Sequence, residues 1–156
     1  MAGPDIQIVL ARACHIRTIA RRMRKADREE VFAASGKSPA GALIYSLRKS
    51  AHAWTALVDG RPEVMFGVGD ISVIGGVGAP WLLGTDAVET HYVAFLRRSV
   101  DFRDQLFRRY PIMRNFVDDR NKASKRWLQW LGARMTDPVE MGGHPFRLFE
   151  LRSANV

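Results

Sequence analysis

Residues 113–132 read Met-Arg-Asn-Phe-Val-Asp-Asp-Arg-Asn-Lys-Ala-Ser-Lys-Arg-Trp-Leu-Gln-Trp-Leu-Gly. The pattern predicts a strand over 113–117 and then a helix over 121–131, with Asn121 at its start and Gly132 as its C-terminal cap. Trp127, Trp130 and Leu131 recur at helical spacing, so all three are expected in the core. Just upstream, Tyr92, Leu96, Val100, Phe107 and Tyr110 mark one face of a long helix over 92–110, which Pro111 ends. Downstream, strands over 134–139 and 146–151 are separated by Gly142-Gly143.

The N-terminal half supplies the rest of a sheet. Ile6, Ile8 and Leu10 predict a short first strand, and Ile16, Ile19, Ala20 and Met23 a first helix with Arg17, Arg21, Arg22 and Arg24 on its other face. A shorter helical piece runs from Asp27 through Phe32, and Ser35-Gly36 breaks it. Ser38 before Pro39 is an N-cap signal for a helix that buries Leu43, Ile44 and Leu47. The period then changes to two: Trp54, Ala56 and Val58, a turn at Asp59-Gly60, then Val64, Phe66 and Val68 spell an antiparallel hairpin. After a glycine-rich stretch, 81–83 is a short buried strand. The expected architecture is a single α+β domain over 1–156, a mixed central sheet flanked by helices, with two main helices between the first two strands.

The 156 residues, 47% hydrophobic, suit one globular core. One Cys excludes an internal disulfide framework and a thiolate zinc site, and Cys14 is expected to pack as a small apolar side chain. The four His lack ligand spacing, so no metal is expected. No G-x-S-x-G elbow is present, and Gly36-Lys37-Ser38 fails as a phosphate loop because Val31 stands where that motif needs glycine. The first residues lack a basic-then-apolar leader and no run is long enough for a membrane helix, so neither secretion nor membrane contact is expected. The net charge of +8 implies an acidic partner: nucleic acid, an acidic protein or a phosphorylated ligand.

Asn121, Trp127-Leu128 and Leu131-Gly132 at the end of a strand-helix unit resemble the fourth helix of the GNAT acetyltransferase superfamily, and the element order is similar across nearly the whole chain. A narrower resemblance is to small GNAT-like proteins of short-tailed bacteriophages, labelled internal virion protein or acetyltransferase. It is carried by Ser50-Ala51-His52-Ala53-Trp54-Thr55, Asp59-Gly60, Met65-Phe66-Gly67-Val68 and, most specifically, Pro80-Trp81-Leu82-Leu83-Gly84-Thr85-Asp86. Asn115-x-Val117-Asp118-x-Arg120-Asn121, Arg126-Trp127-Leu128-x-Trp130-Leu131-Gly132 and Pro145-Phe146 complete it. The resemblance implies a mixed sheet with a V-shaped parallel strand pair, residence in the virion or the host cytoplasm, and other phage proteins as partners.

It also implies a place for acetyl-CoA, and here the sequence departs from active relatives. They hold the pyrophosphate with a Q/R-x-x-G-x-G/A loop opening the third helix, whose free N–H groups attract phosphate. This chain has Gly84-Thr85-Asp86-Ala87-Val88-Glu89, where Asp86 and Glu89 have the spacing of a capping box that would occupy those donors. Asp86→Ala is accordingly expected to cost on the order of 1 kcal/mol. Gly84, Thr85, Asp86 and Asn121 remain the candidate cofactor contacts. The tyrosine acid that many relatives carry seven residues after the Asn is Leu128, which leaves Glu63 and Asp70 as candidate bases.

Arg97, Arg98, Arg108 and Arg109 form a candidate partner-binding face, for phage proteins first and non-specific DNA second. Two functions therefore compete: a virion-associated or assembly factor with a degenerate acyl-CoA site and no cofactor, and an acetyl-CoA-dependent N-acetyltransferase acting on a host or phage protein.

Overall fold

The computed structural model describes residues 2–156. The sheet order is β1 (Ile6–Leu10), β2 (His52–Val58), β3 (Arg61–Ser72), β4 (Val77–Gly84), β5 (Ile112–Asp118), β8 (His144–Arg152) and β6 (Arg134–Met135), with β7 (Val139–Met141) also paired to β8. All ladders are antiparallel except β4 with β5. One face carries α1 (Ile16–Arg21) and α3 (Pro39–Lys49), whose Ile19 and Leu43, together with Met23 just after α1, pack on Met65 and Leu83. On the other, α5 (Tyr92–Arg109) and α6 (Lys122–Trp130) bring Phe95 and Trp127 against Ile6, Ala56 and Val64.

Local chemistry accounts for the boundaries. Ser38 Oγ accepts from Gly41 N–H at 3.1 Å with Pro39 behind it, starting α3 as expected. Asp59 and Gly60 both have positive φ, 49° and 84°, the geometry of a tight hairpin turn whose twist matches its strands. The 81–83 strand is longer than its apolar core and runs through the small residues Gly78 and Ala79. The 134–139 strand is in fact β6 and β7, interrupted at Pro138, which has no N–H to give a ladder. Exposure corrects three core assignments: Trp130 and Ile44 face solvent from the far side of helices whose other residues fill the core, and Cys14 is exposed on a short 3-10 turn, Ala13–His15, that buries no residue.

The largest correction concerns the short piece after Asp27. It is a full helix of 11 residues, α2 (Lys25–Ser35), so three helices join β1 to β2. It extends to Gly36, which takes φ +68° and stops it. The tip of the β7–β8 hairpin braces its far end. At Gly142, where φ is +56°, an added Cβ would run into the Ala33 carbonyl.

Parallel pairing of β4 with β5 is limited to Val77 with Ile112 and Gly78 with Met113. Beyond that point the strands part. Pro80 has no N–H for a ladder, and its carbonyl is met by the Asn115 side chain, Nδ2 donating at 2.9 Å. Meanwhile β5 keeps pairing with β8 along its length. The result is a V that opens toward Gly84 on one arm and Asp118 on the other, and α2 lies across this opening.

Gly142→Ala should destabilise the protein by more than about 1 kcal/mol, because it adds both backbone strain and a clash with α2. Gly3→Ala, with no neighbour within 4 Å, should be neutral in the same urea titration.

Candidate active site between the parted strands

A cavity of about 530 Å³ passes through the sheet where β4 and β5 separate. Its walls are mainly apolar, among them Phe66, Trp81, Phe102, Trp127 and Leu128, and Glu30 of α2 is an acid among them. Strand alternation exposes one backbone unit to it. Pro80 cannot bond β3 through nitrogen and Gly84 N–H bonds Asp27, so Leu82, midway between them, also turns its N–H and C=O away from β3. On that side β5 pairs with β4 only at Val77 and Gly78, so neither group of Leu82 meets a strand partner there.

The mouth at Gly84 is held by a buried charge network. Arg24 Nη2 donates to Asp27 Oδ1 at 2.6 Å and to Ser124 Oγ at 3.1 Å, and Nη1 donates to Glu89 Oε1 at 3.2 Å. Its backbone N–H reaches the Gly84 carbonyl at 2.8 Å, and Gly84 N–H donates to Asp27 Oδ2 at 3.0 Å. Burial works against the Arg24 charge, but Asp27 and Glu89 more than offset it and hold the pKa above the ordinary value. The bridge of Met23 to Thr85 lays this segment along the end of β4.

The amides of Gly84, Thr85, Ala87, Val88 and Glu89 are therefore bonded within the protein, though not as the sequence suggests. No capping box forms: Asp86 makes no side-chain cap, and Glu89 turns to Arg24. The cap is Thr85, whose Oγ1 accepts from Ala87 N–H at 3.2 Å and donates to the Glu63 carboxylate. Thr85 N–H goes to the Glu63 carbonyl at 2.9 Å and Val88 N–H to the Thr85 carbonyl at 3.2 Å. Asp86 loses the cap because α4 (Ala87–Thr90) is a single turn and the preceding Thr85, buried against Glu63, is closer to its first donor. Gly84 and Thr85 thus follow the cavity-lining Leu83 with their amides taken by the protein, and a pyrophosphate would find neither amide free.

Glu63 and Asp70 lie outside the cavity. Glu63 is buried; burial alone would raise its pKa, but hydrogen bonds from Arg22, Thr85 and Arg61 win and hold it below the usual carboxylate value, a poor state for a base. Asp70 accepts from the hydroxyl of Tyr110, whose own pKa is pushed up to about 12 by burial and by that carboxylate. Asn121 caps α6 through Ser124 N–H at 3.3 Å and points Nδ2 at Glu30 Oε2, 3.5 Å away.

The four arginines of α5 are exposed but do not make a uniform cationic surface. Arg97 and Arg108 share a helix stripe with Asp101 and Asp104, Arg98 donates to the Ile6 carbonyl at 2.9 Å, and Arg109 lies 5.1 Å from the Tyr110 ring.

Glu30 is the residue that sequence reasoning passed over. It is half-buried, and its carboxyl accepts from Asp118 N–H at 2.6 Å as well as from Asn121. Burial, with the nearby Asp27 and Asp118 charges, pushes its pKa up to about 7 against these hydrogen bonds. A signal did exist. Asp27, Glu30, Val31 and Ala34 follow the spacing of an inward helix face, and acids on such a face need partners or a purpose.

The sequence matches no protein-family model and no curated protein. Solved structures are a different matter. The ribosomal-protein-S5-alanine acetyltransferase from Vibrio fischeri superposes with a TM-score of 0.69 at 14% identity, covering 96% of this chain and 94% of that one. A GCN5-related N-acetyltransferase from Kribbella flavida gives 0.69 at 16% identity, covering 94% and 97%. The ribosomal L7/L12 α-N-protein acetyltransferase, solved in complex with coenzyme A, gives 0.66 at 9% identity, covering 95% and 94%. At such identities the likeness is one of architecture, and that architecture is the GNAT fold.

Asp86→Ala should leave stability within about 0.5 kcal/mol, since nothing leans on its side chain. Thr85→Val should cost about 1–3 kcal/mol through the stranded Ala87 amide and Glu63 carboxylate. Urea unfolding of both reads the contrast. Glu30 gives a pH prediction. Its folded pKa of about 7 lies above the ordinary carboxylate value of 4.5, so the folded state binds more protons between these values and stability falls as pH rises through them. Glu30→Gln should flatten that slope in thermal melts, and carboxyl NMR should show the midpoint near 7 in the parent protein.

Proposed function

We propose that the chain is an acyl-CoA-dependent N-acyltransferase, acetyl-CoA being the expected donor and a protein amine the acceptor, with Glu30 as general base. One observation carries this reading: the parted strands of a GNAT fold enclose a cavity that holds both an unpaired strand backbone and a carboxyl poised near neutrality. The unpaired N–H and C=O of Leu82 suit an extended, amide-bearing arm, which a strand edge binds as an added strand. A bound thioester would supply an activated acyl carbon, its C–S bond breaking as the amide forms and the departing thiolate taking a proton to leave as the free thiol.

The rest is the work of the chain. Asp118 N–H and Asn121 Nδ2 hold the Glu30 carboxylate in place, and its remaining lone pairs take the proton that an attacking amine must lose. The apolar walls keep water from competing, and Trp81 and Phe116 supply aromatic surface for the acceptor.

A second reading has its own support. The bonded amides of Gly84, Thr85, Ala87 and Val88 disfavour phosphate on the backbone of that loop. They favour the phage reading, a virion-associated or assembly factor acting through protein contacts.

A ligand at about a hundred times its dissociation constant adds roughly 2.7 kcal/mol to stability, so saturating acetyl-CoA should raise the melting temperature clearly. Acyl transfer to a peptide library should rise with pH up to about 7. Glu30→Gln should lower kcat by about 100-fold or more while leaving acetyl-CoA affinity unchanged. Absence of any saturable shift defeats the enzyme reading and promotes the assembly one, which mass spectrometry of phage particles then tests.

A further inference from the structure

A second pocket, about 410 Å³, lies where α1 passes into α2 and is lined by Arg21, Arg22, Met23, Lys25, Arg28 and Asp86. Four cations face one acid. Arg22 is engaged by Glu63 at 2.9 Å and Lys25 lies 3.7 Å from Glu29. Arg21 and Arg28 are exposed, and among the described residues neither has a carboxylate partner. Folding gains no ion pair from Arg21 or Arg28: the cations repel one another, and they crowd the positive end of α2, which begins without a side-chain cap. An anion would repay both costs, and several cations in a walled pocket match one with more than one phosphate.

We propose that this pocket binds the phosphates of the acyl carrier, taking a task for which the 84–89 loop, with all but one of its amides bonded within the protein, is not built. The inference rests on the acyl-CoA reading and deepens it. The placement supports it, because one loop serves both sites. Arg24 and Asp27 tie the start of α2 to Gly84; Lys25 and Arg28 line the cationic pocket, whereas Glu30 and Val31 of the same helix line the cavity between the strands. Asp86 belongs to the pocket wall, two residues beyond the end of β4. A carrier whose amide-bearing arm enters the cavity has its charged end next to these side chains. The bonding of the Gly84, Thr85, Ala87 and Val88 amides and the loading of arginines beside them are then one exchange, with guanidinium side chains replacing backbone amides as phosphate donors.

The test is calorimetry on the full chain with acetyl-CoA, inorganic pyrophosphate, adenosine 3′,5′-bisphosphate and phosphate-free acetyl-pantetheine. The Arg21→Gln, Arg28→Gln double variant removes two exposed, unpaired cations and should fold normally by circular dichroism. It should bind acetyl-CoA and the two phosphate probes at least about tenfold more weakly, with acetyl-pantetheine unchanged. Arg17→Gln with Arg48→Gln, which removes equal charge outside the pocket, should bind all four as the parent does. Equal acetyl-CoA affinity in the parent and the double variant overturns the inference while leaving the acyltransferase reading intact. An equal loss in the control variant overturns it too, since a diffuse field and not this pocket would then be responsible. If the parent binds neither acetyl-CoA nor acetyl-pantetheine, the acyltransferase reading itself fails and the carrier assignment falls with it.

Discussion

The buried pairing of Arg24 with Asp27 is the contact on which the arrangement of this molecule turns. Both side chains are almost wholly enclosed, at 4% and 1% exposure, and between them they hold the end of β4, the start of α2, the single turn of α4 and the first turn of α6. Enclosing two charges is costly, so such a pair adds little net stability over an apolar substitute. Losing one partner, however, typically costs about 3–5 kcal/mol because the other is left uncompensated. Its value is geometric. With Arg24 bonded in three directions, α2 has one place to sit, across the open end of the V.

That placement decides what the cavity contains. A GNAT sheet must part after β4 and β5 stop pairing, and Pro80 makes the parting permanent by denying a ladder hydrogen bond. Parting leaves backbone and side chains facing an interior space. α2 covers that space and delivers Glu30 into it, so the helix that closes the cavity is also the source of its acid. The same helix presents Lys25 and Arg28 to the neighbouring pocket. Two chemically opposite sites are thus built from successive turns of one element, separated by the Arg24–Asp27 pair.

The structural neighbours locate this chain among acetyltransferases in fold, and fold alone does not carry activity. What weighs toward chemistry here is the carboxyl in the cavity and the unpaired edge of β4. What weighs against it is the loop at 84–89, where the sequence resemblance leads to an expectation of free amides and this chain has Gly84, Thr85, Ala87 and Val88 bonded. The two observations concern different parts of a long donor molecule, the arm and the phosphates, so they are compatible if the phosphates sit elsewhere.

Much of the architecture was legible in the sequence because the relevant forces act within a turn or along one strand. Alternation from Trp54 to Val68 with Asp59-Gly60 between, the Ser38-Pro39 start of α3, and the Val117 to Gly132 strand-helix unit each specify their own conformation. The parallel pair that parts, and the antiparallel neighbours around it, followed from that order together with the family resemblance. The site was not legible in the same way. Whether Asp86 or Thr85 caps α4 depends on Glu63, over twenty positions away in the chain, and the state of Glu30 depends on Asp118 and Asn121, 88 and 91 positions away. Sequence pattern therefore determined which residues form helices, strands and turns. Only the tertiary structure decided which charges are buried, paired or left facing a cavity, because desolvation and Coulomb interaction depend on distance in space and not along the chain.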